Sequence, residues 1–300
     1  MVNSLFHQPV MEKEVLHYLL WKKNGIYIDA TVGGGGHALS LLGELEEGAM
    51  LVGIDRDEEA IKVARETLKN PYLPVYLFKE RFSRIDDILL SLGMKEISGV
   101  LFDLGVSSWQ LDKAERGFSF QREGSLDMRM DLSEKRSAYQ VVNEFPEKEL
   151  ASIIYYYGEE RFSRRIARAI VKEREKKPIV TTRELAQIIE RVVPQRGKIH
   201  PATLTFMALR IFVNEELKEI EEALEKVSPL VEEGGRIVVI SYHSLEDRIV
   251  KKFLRGNEEW EVLTKKPVYP SPEEVRDNPR ARSGRLRAGE KLRRDRNEGT

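Results

Sequence analysis

The sequence predicts an α/β fold with a mostly parallel sheet and an inserted all-helical domain. In the first third of the chain, short apolar strands alternate with helices of ten or so residues. This alternation is typical of a parallel sheet with helices on both faces. A glycine-rich turn joins the first strand to the next helix, and the central region loses its strands before another buried strand appears at residue 236.

The first third contains four predicted strands and the helices that surround them. In the first helix, Met11, Val15 and Leu19 recur at the spacing of one helical face. The predicted strands are 25–31, 50–55, 75–78 and 99–103. The predicted helices are 11–23, 38–47, 57–69 and 82–92.

The rest of the chain changes character twice. Residues 107–131 are polar and loop-like, and the following predicted helices are 147–157, 160–176, 182–192 and 202–226. A strand at 236–241, a helix at 245–255 and two weaker strands at 260–269 and 283–288 complete the prediction. We therefore expect one α/β domain from 1–113 and 209–300, interrupted by a helical substrate-recognition domain at 114–208. The insertion leaves from the carboxyl end of the fourth strand, where open α/β sheets bind ligands.

Composition narrows the possible functions. The chain has 300 residues, a mass of 34.6 kDa and a net charge of -1, so any nucleic-acid binding must come from local patches. Cysteine is absent, which excludes disulfides, thiolate metal sites and cysteine nucleophiles. No signal-peptide pattern or apolar run of about 20 residues occurs, so a cytoplasmic protein without a membrane segment is expected. The dispersed histidines predict no metal site.

The tetraglycine at 33–36 predicts a nucleotide-binding turn. Glycines allow close approach of a ligand, and the following helix offers free N–H groups. Gly33, Gly35 and Ala38 satisfy the dinucleotide fingerprint, and Asp55 lies where an acid grips ribose hydroxyls. These features alone fit a nicotinamide dinucleotide and S-adenosylmethionine equally well. A Walker-type loop is excluded, because no Gly-Lys-Ser/Thr follows the glycines.

Three acids at strand ends favour S-adenosylmethionine over a dinucleotide. Asp29, Asp55 and Asp103 each close a predicted strand, so they are expected at one edge of the sheet. Converging carboxylates repel a pyrophosphate and suit a cation that carries a ribose. Any one of these acids is more simply explained as a helix cap or a solvated group. That explanation is weaker for all three together.

The chain also resembles a known family from end to end. The matching stretches include Tyr27-Ile28-Asp29-Ala30-Thr31, Gly34-Gly35-Gly36-His37, Gly53-Ile54-Asp55-Arg56-Asp57, Asp103-Leu104-Gly105-Val106-Ser107-Ser108, Leu126-Asp127-Met128-Arg129-Met130-Asp131, Ser241-Tyr242-His243-Ser244-Leu245-Glu246-Asp247-Arg248 and Asn278-Pro279-Arg280-Ala281-Arg282-Ser283. These motifs resemble the ribosomal RNA small subunit methyltransferase H (MraW) family of bacterial 16S rRNA (cytosine-N4)-methyltransferases. The family usually has phenylalanine at the position of Tyr242 and often arginine at that of Gly34, and neither difference is expected to matter much for cofactor binding.

The resemblance implies a fold, a reaction and a set of cofactor contacts. It implies a Rossmann-like class I S-adenosylmethionine-dependent methyltransferase sheet. The implied reaction is methylation of the exocyclic N4 amine of a specific cytidine in the decoding region of 16S rRNA, within the small ribosomal subunit. The implied cofactor-binding residues are Gly35, Gly36, His37, Asp55, Phe82, Asp103 and Gln110.

Methylation of an amine needs a positioned nitrogen and an acceptor for its proton. Asp103 and Ser107, just past the fourth strand, and His243, after the strand at 236–241, are the catalytic hypotheses. Asp103 could instead only hold the cofactor, and His243 could be structural; both alternatives stay open. Methylation at carbon 5 of cytosine normally needs a cysteine adduct, and the absence of cysteine closes that route.

A basic stretch in the inserted domain predicts RNA binding. Residues 161–177 hold eight basic residues against two acids. The expected RNA-binding residues are Arg161, Arg164, Arg165, Arg168 and Lys172, which fall largely on one side of a helix. A merely solvated helix face is the simpler alternative. A second basic patch is expected in the tail at 276–300, and a homodimer is left open.

Three other functions compete with this interpretation. The glycine fingerprint also allows a nicotinamide-dependent oxidoreductase. A second possibility is an RNA-binding assembly factor that keeps the scaffold without the reaction, and a third is a methyltransferase that acts on a small molecule or a protein.

Overall fold

A computed structural model describes residues 9–70, 72–195 and 199–293. The chain divides into two compact units, one formed by Met1–Gly105 with Leu217–Thr300 and the other by Val106–Glu216. We call them the sheet unit and the helical unit. The helical unit begins at Val106 rather than at 114 and ends at Glu216 rather than at 208. The reason is packing: Val106 contacts the core of this unit, and Leu209 and Val213 are part of it.

The described residues of the sheet unit form a seven-stranded sheet with the order β3-β2-β1-β4-β5-β7-β6. The strands are β1 Ile26–Asp29, β2 Met50–Asp55, β3 Val75–Lys79, β4 Ile97–Asp103, β5 Val231–Ser241, β6 Trp260–Val262 and β7 Arg285–Lys291. Strands β1 to β5 are parallel to one another, and β7 runs antiparallel between β5 and β6. The predicted Rossmann-like α/β class is confirmed.

The helices of the chain, numbered in order, connect these strands or form the helical unit. They are α1 Glu12–Leu19, α2 Gly36–Glu44, α3 Glu58–Thr67, α4 Ile85–Ser91, α5 Ser108–Asp112, α6 Ala138–Glu144, α7 Glu147–Gly158, α8 Ser163–Arg174, α9 Thr182–Glu190, α10 Thr203–Asn214, α11 Glu216–Val227, α12 Ser244–Gly256 and α13 Pro272–Asp277. In the part of the chain that the structure describes, none of them is long and apolar enough to cross a bilayer.

The sheet has a hydrophobic core on each face. Alternate residues along a strand point to opposite faces, so Val238 and Ile240 of β5 pack in one core and Ile237 and Val239 in the other. The first core also includes residues of α1, α2 and α3, and the second includes residues of α4, α11 and α12. Both faces of the parallel strands are covered, which leaves the carboxyl ends of the strands as the natural place for polar groups.

Several observed elements differ from the predicted ones. The predicted helix 202–226 is two helices, because Glu215 adopts a left-handed conformation with φ of 54° between α10 and α11. The predicted strand 260–269 ends early as β6, and only Val268 further on pairs again, with Leu286. Helices α5 and α13 were not predicted: α5 lies in a stretch predicted as a loop, and α13 lies between the two weaker predicted strands.

A buried asparagine organises the helical unit. Asn214, 1% exposed at the end of α10, accepts a hydrogen bond from the Met130 N–H at 2.8 Å and donates one to the Met128 carbonyl at 2.8 Å. Met128 itself has a left-handed φ of 64°. These bonds satisfy buried backbone groups of the loop after α5, which would otherwise cost folding free energy.

Candidate cofactor and substrate site

The carboxyl ends of three adjacent strands bring Asp29, Asp55 and Asp103 to one edge of the sheet. Parallel pairing places Asp29 of β1 between Gly53 of β2 and Leu101 of β4. Asp29 is 1% exposed, whereas the Asp103 side chain is 24% exposed. Because only Asp103 of these two reaches solvent, it is the one that a ligand arriving from solvent can touch directly.

Thr31 links the ends of β1 and β4. Its N–H donates to Asp29 Oδ1 at 3.2 Å, and its hydroxyl oxygen accepts from the Asp103 N–H at 2.7 Å. These bonds hold both strand ends in one arrangement.

The glycine turn is tied to Asp55. The Gly33 N–H donates to Asp55 Oδ2 at 2.9 Å, and the Asp57 N–H donates to Asp55 Oδ1 at 2.8 Å. Gly35 has a φ of 93°, and a Cβ there would lie only 3.1 Å from Leu68 Cγ, so this position requires glycine. Helix α2 begins at Gly36, and the first N–H groups of a helix lack intrahelical partners. The glycine turn and Asp55 are thus held next to each other, where they can bind the carboxylate and the ribose of a ligand.

The electrostatics of this edge favour a positively charged ligand. The pKa of Asp29 is raised to about 7: burial is the main cause, the charges of Asp103 and Asp55 add to it, and His37 opposes it. Burial also raises the pKa of Asp55 to about 6. A cation placed among these carboxylates would favour their ionised forms, whereas a pyrophosphate would add repulsion. The residues present therefore fit the sulfonium and ammonium charges of S-adenosylmethionine.

Asp103 is contacted from two sides. The Tyr242 hydroxyl donates to Asp103 Oδ1 at 2.8 Å, and His37 Nε2 lies 3.5 Å from Asp103 Oδ2. Burial lowers the pKa of His37, but the nearby Asp103 carboxylate outweighs it, so the net pKa of His37 is raised. Burial and Asp103 raise the pKa of Tyr242 well above its ordinary value, so the phenol keeps its proton and stays a donor. Sequence reasoning missed the Tyr242–Asp103 bond.

His243 caps helix α12. The Glu246 N–H donates to His243 Nδ1 at 3.4 Å, and Glu246 Oε2 accepts from the backbone N–H groups of His243 at 3.3 Å and Tyr242 at 2.8 Å. This is a capping box. The contacts favour the structural alternative for His243, and its catalytic role stays a prediction. The same box fixes the backbone of Tyr242 and thereby the hydroxyl that meets Asp103.

Phe82 lies in the short 3-10 turn Phe82–Arg84 that follows β3. Its ring meets that of Phe102 edge-to-face, with centroids 5.6 Å apart. Phe102 precedes Asp103 on β4, so Phe82 packs against the strand that carries the acid. A partly buried ring in this position can lie against a flat heterocycle.

Ser107 and Gln110 belong to the helical unit. The Ser107 N–H donates to Gln110 Oε1 at 3.1 Å, and the Gln110 N–H donates to Ser107 Oγ at 3.2 Å. These reciprocal bonds close the first turn of α5 and hold Gln110 nearly buried, at 5% exposure. The catalytic role of Ser107 and the cofactor role of Gln110 stay predictions.

Helix α8 presents the predicted basic surface. The five predicted residues are exposed: Arg161, Arg164, Arg165, Arg168 and Lys172. Its opposite face is buried through Ile166, Ala167 and Ile170. Arg168 Nε lies 3.7 Å from Glu147 Oε1, but among the described residues neither Arg164 nor Arg165 has a carboxylate within 4.0 Å. We call the five exposed residues the α8 basic face.

Other basic residues of this stretch are engaged within the helical unit. Arg174 donates to the Val142 and Phe145 carbonyls, each at 2.6 Å. Lys176 and Lys177 pair with Glu173 and Glu184. The number of basic residues in 161–177 therefore overestimates the positive charge that is available to bind RNA. The five residues selected by helical spacing are all exposed, as predicted.

The whole chain is similar to known methyltransferases. The model of the MraW methylase family matches residues 4–292. Ribosomal RNA small subunit methyltransferase H of Persephonella marina is 53% identical over 293 residues, which cover 95% of this chain and 99% of that one. The protein of the same name from Thermosipho africanus is 48% identical over 290 residues, with 95% and 98% covered. The resemblance seen in the motifs is confirmed, and this chain belongs to the MraW methylase family.

Proposed function

We propose that this protein methylates the exocyclic N4 amine of a cytidine in the decoding region of 16S rRNA. Membership in a methylase family makes it a methyltransferase, and S-adenosylmethionine is its methyl donor. The relatives with the same end-to-end match bear the name of small subunit rRNA methyltransferases, so the substrate is rRNA of the small subunit. The observation that carries the proposal is that Asp103, at the edge of the sheet, lies 3.5 Å from His37, the residue that follows the glycine turn.

Residues of the sheet unit would hold the cofactor. The N–H groups of Gly36 and His37 at the start of α2 suit its carboxylate, whereas the Gly35 N–H already donates to the Val32 carbonyl at 2.7 Å. Asp55 suits the ribose hydroxyls. Asp29 and Asp103 supply the negative field for its positive charges, and the Phe82 ring suits its adenine. Gln110 is a further cofactor contact that the family resemblance implies. When bound, S-adenosylmethionine supplies a methyl group on a positively charged sulfur.

The remaining task of the chain is to orient the amine and receive its proton. The lone pair of the cytosine amine is delocalised into the ring, so the nitrogen must be held in line with the methyl–sulfur bond. Asp103 is partly exposed and its orientation is set by Tyr242, which makes it our first choice as the group that binds the amine and accepts its proton. Ser107 and His243 are the alternative acceptors. The chain has no cysteine for a ring adduct, which favours the amine over carbon 5.

The RNA itself would be held by the α8 basic face. Exposed arginines are suited to phosphates, and Arg164 and Arg165 have no carboxylate within 4.0 Å among the described residues. Neutralising each phosphate releases a bound counterion, which favours binding. The target cytidine must leave any base stack to reach the methyl group, so phosphate contacts outside the reaction centre are needed to hold its strand.

Two measurements test this function. Small subunits from cells that lack the protein are treated with it and S-adenosylmethionine, and mass spectrometry of the 16S rRNA maps new methyl groups. We expect N4-methylcytidine at one position in the decoding region. Equilibrium binding should detect adenosylhomocysteine and no NAD. Methylation at a ring carbon, methylation of another RNA, or binding of NAD in place of adenosylhomocysteine would contradict the proposal.

A further inference from the structure

Strand β7 begins at the same edge of the sheet where Asp103 ends β4. It runs antiparallel to β5, and the register pairs Arg285 with Ser241 and Leu286 with Ile240. Ile240 in turn pairs with Asp103. Asp103, Ile240 and Leu286 thus form one row across the sheet. The two ends of this row, Asp103 and Leu286, are two strand spacings apart, or roughly 10 Å. Arg285, which precedes Leu286, therefore lies near the edge of the sheet that carries Asp103.

Tyr269 lies opposite Arg285 in the strand register. Val268 and Leu286 exchange backbone hydrogen bonds of 3.0 and 2.9 Å, so Tyr269 follows opposite Arg285. The side chains of Val268 and Leu286 pack in the core on one face of the sheet. Because side chains alternate along paired strands, this register places Tyr269 and Arg285 on the face opposite that core. Tyr269 is 59% exposed.

Two arginines at and just before the start of β7 form no ion pair in the described part of the chain. Arg285 is partly exposed and Arg282, three residues earlier, is exposed. Among the described residues neither guanidinium has a carboxylate within 4.0 Å. The neighbouring Arg287, by contrast, is bound by Asp247 at 2.6 Å. We call Tyr269, Arg282 and Arg285 the β7 edge surface.

The acids of the adjacent helix α13 do not neutralise this surface. Glu274 accepts a hydrogen bond from the Met11 N–H at 2.6 Å and is committed there. Glu273 and Asp277 are exposed, and neither comes within 4.0 Å of a basic group of the described chain. An anion that reaches Arg282 and Arg285 therefore meets no ion pair that it has to break.

We propose that the β7 edge surface binds the single-stranded RNA next to the cytidine that is methylated. The Tyr269 ring stacks on a base, and Arg282 and Arg285 pair with phosphates. This inference rests on the proposed function, since a target base held at Asp103 leaves its neighbours unpaired and within reach of the row to Leu286. Exposed aromatic rings among unpaired cations are the features that bind single strands with little sequence preference.

The test uses the full-length protein with two probes, a short fluorescent single-stranded oligoribonucleotide and small subunits that lack the methyl group. The variants are Tyr269→Ala, Arg282→Gln and Arg285→Gln. We expect Tyr269→Ala to weaken oligoribonucleotide binding about tenfold through the lost stacking. Each arginine variant should reduce the slope of log K against log salt concentration by about one or slightly less. The KM for subunits should rise, and adenosylhomocysteine should bind as to the wild type.

Matched controls come from the far side of the same unit. Tyr72 is 89% exposed and precedes β3, at the opposite end of the parallel strands. Arg65 is exposed on α3 and has no carboxylate within 4.0 Å among the described residues. Tyr72→Ala and Arg65→Gln remove the same chemistry elsewhere and should bind both probes as the wild type does.

The outcomes separate this inference from the proposed function. If the three β7 edge variants bind RNA as well as Tyr72→Ala and Arg65→Gln do, the surface is not an RNA site, while methylation by the wild type leaves the function standing. If the wild-type protein methylates no rRNA, the function fails and the inference fails with it. Selective loss of RNA binding in the β7 edge variants, with adenosylhomocysteine binding intact, supports the inference.

Discussion

Asp103 is the residue on which the chemistry of the site depends. It ends β4, receives a hydrogen bond from Tyr242 and lies 3.5 Å from His37. His37 is buried and Tyr242 is partly buried, and the hydroxyl of Tyr242 defines the direction of the carboxylate before any ligand arrives. A preorganised acceptor loses little entropy when the amine binds, which is how positioning lowers a reaction barrier.

We expect Asp103→Asn to lower the single-turnover rate of methyl transfer by about 100-fold or more, because the amide cannot accept the proton. Adenosylhomocysteine affinity should fall much less, since the amide oxygen can still accept from Tyr242. Rapid-quench methylation and equilibrium binding measure the two quantities separately. Asp87→Asn, at an exposed acid of α4, is the control. A normal rate combined with lost affinity would leave Asp103 with a cofactor role alone.

Asp29 predicts a particular pH dependence of stability. The pKa of this carboxyl is raised to about 7, mainly by burial, from an ordinary value of about 3.9 in unfolded chains. The folded state therefore binds the proton more tightly than the unfolded state does. This contribution to the free energy of unfolding is complete below about pH 4 and is lost as the pH rises to about 7.

Asp29→Asn should remove much of this decrease in the free energy of unfolding with rising pH, because an amide does not ionise. Guanidinium denaturation of the ligand-free protein between pH 4 and 8 measures it. Relative to the wild type, the variant should gain in free energy of unfolding as the pH rises. Parallel curves for the two proteins would show that Asp29 titrates near its ordinary pKa, and the argument for a cation at this edge would lose its main support.

At the scale of elements, helix α12 has a cap that also serves the site. The capping box of His243 and Glu246 fixes the backbone of Tyr242 and hence its hydroxyl. Helix α8 does something different, because it buries one face in the helical unit and offers its other face to solvent. One helix therefore positions a reactive group through its first turn, and the other displays charge along its length.

The cap gives a test of the role of His243. His243→Asn keeps a side chain that caps helices well, whereas His243→Ala does not, and we expect the alanine variant to lose about 1 kcal/mol of unfolding free energy. Methylation by the asparagine variant should be within a few-fold of the wild type, measured in single turnovers. A large loss of rate in the stable asparagine variant would instead make His243 a participant in proton transfer.

The α8 basic face predicts a salt effect. Arg164→Gln combined with Arg165→Gln should weaken binding to small subunits and reduce the slope of log K against log salt concentration by about one to two. Adenosylhomocysteine should bind normally. The control combines Lys176→Gln with Lys177→Gln, at lysines that already pair with Glu173 and Glu184. Equal salt slopes for the two double variants would mean that the face is only solvated.

At the scale of the whole molecule, one interrupted chain builds two compact units. The sheet unit takes residues from both ends of the chain, and β4 and β5 pair although the whole helical unit separates them in sequence. The apolar runs of the strands predicted this sheet, and residues 50–55 are a strand in the prediction and in the structure alike. Local pattern is sufficient there because both faces of such a strand are buried.

Local sequence patterns could not predict some features of the structure. Nothing in the sequence near Glu215 marks its left-handed conformation, which divides one predicted helix into α10 and α11. The bond between Tyr242 and Asp103 joins residues 139 positions apart, so no local spacing could reveal it. Likewise, His243 stood out as a lone histidine at a sheet edge, and only the geometry of its Nδ1 atom showed a cap.

The amino-acid sequence by itself determined the class of sheet, the glycine turn, the three acids at strand ends and the family, because these depend on residue type and short-range spacing. The tertiary structure alone decided how Asp103 is held, which arginines form no ion pair in the described chain and that Tyr269 lies opposite Arg285 in the register. These depend on strand register and helix packing, which bring distant side chains within a few ångströms and so set the charge and shape that a ligand meets.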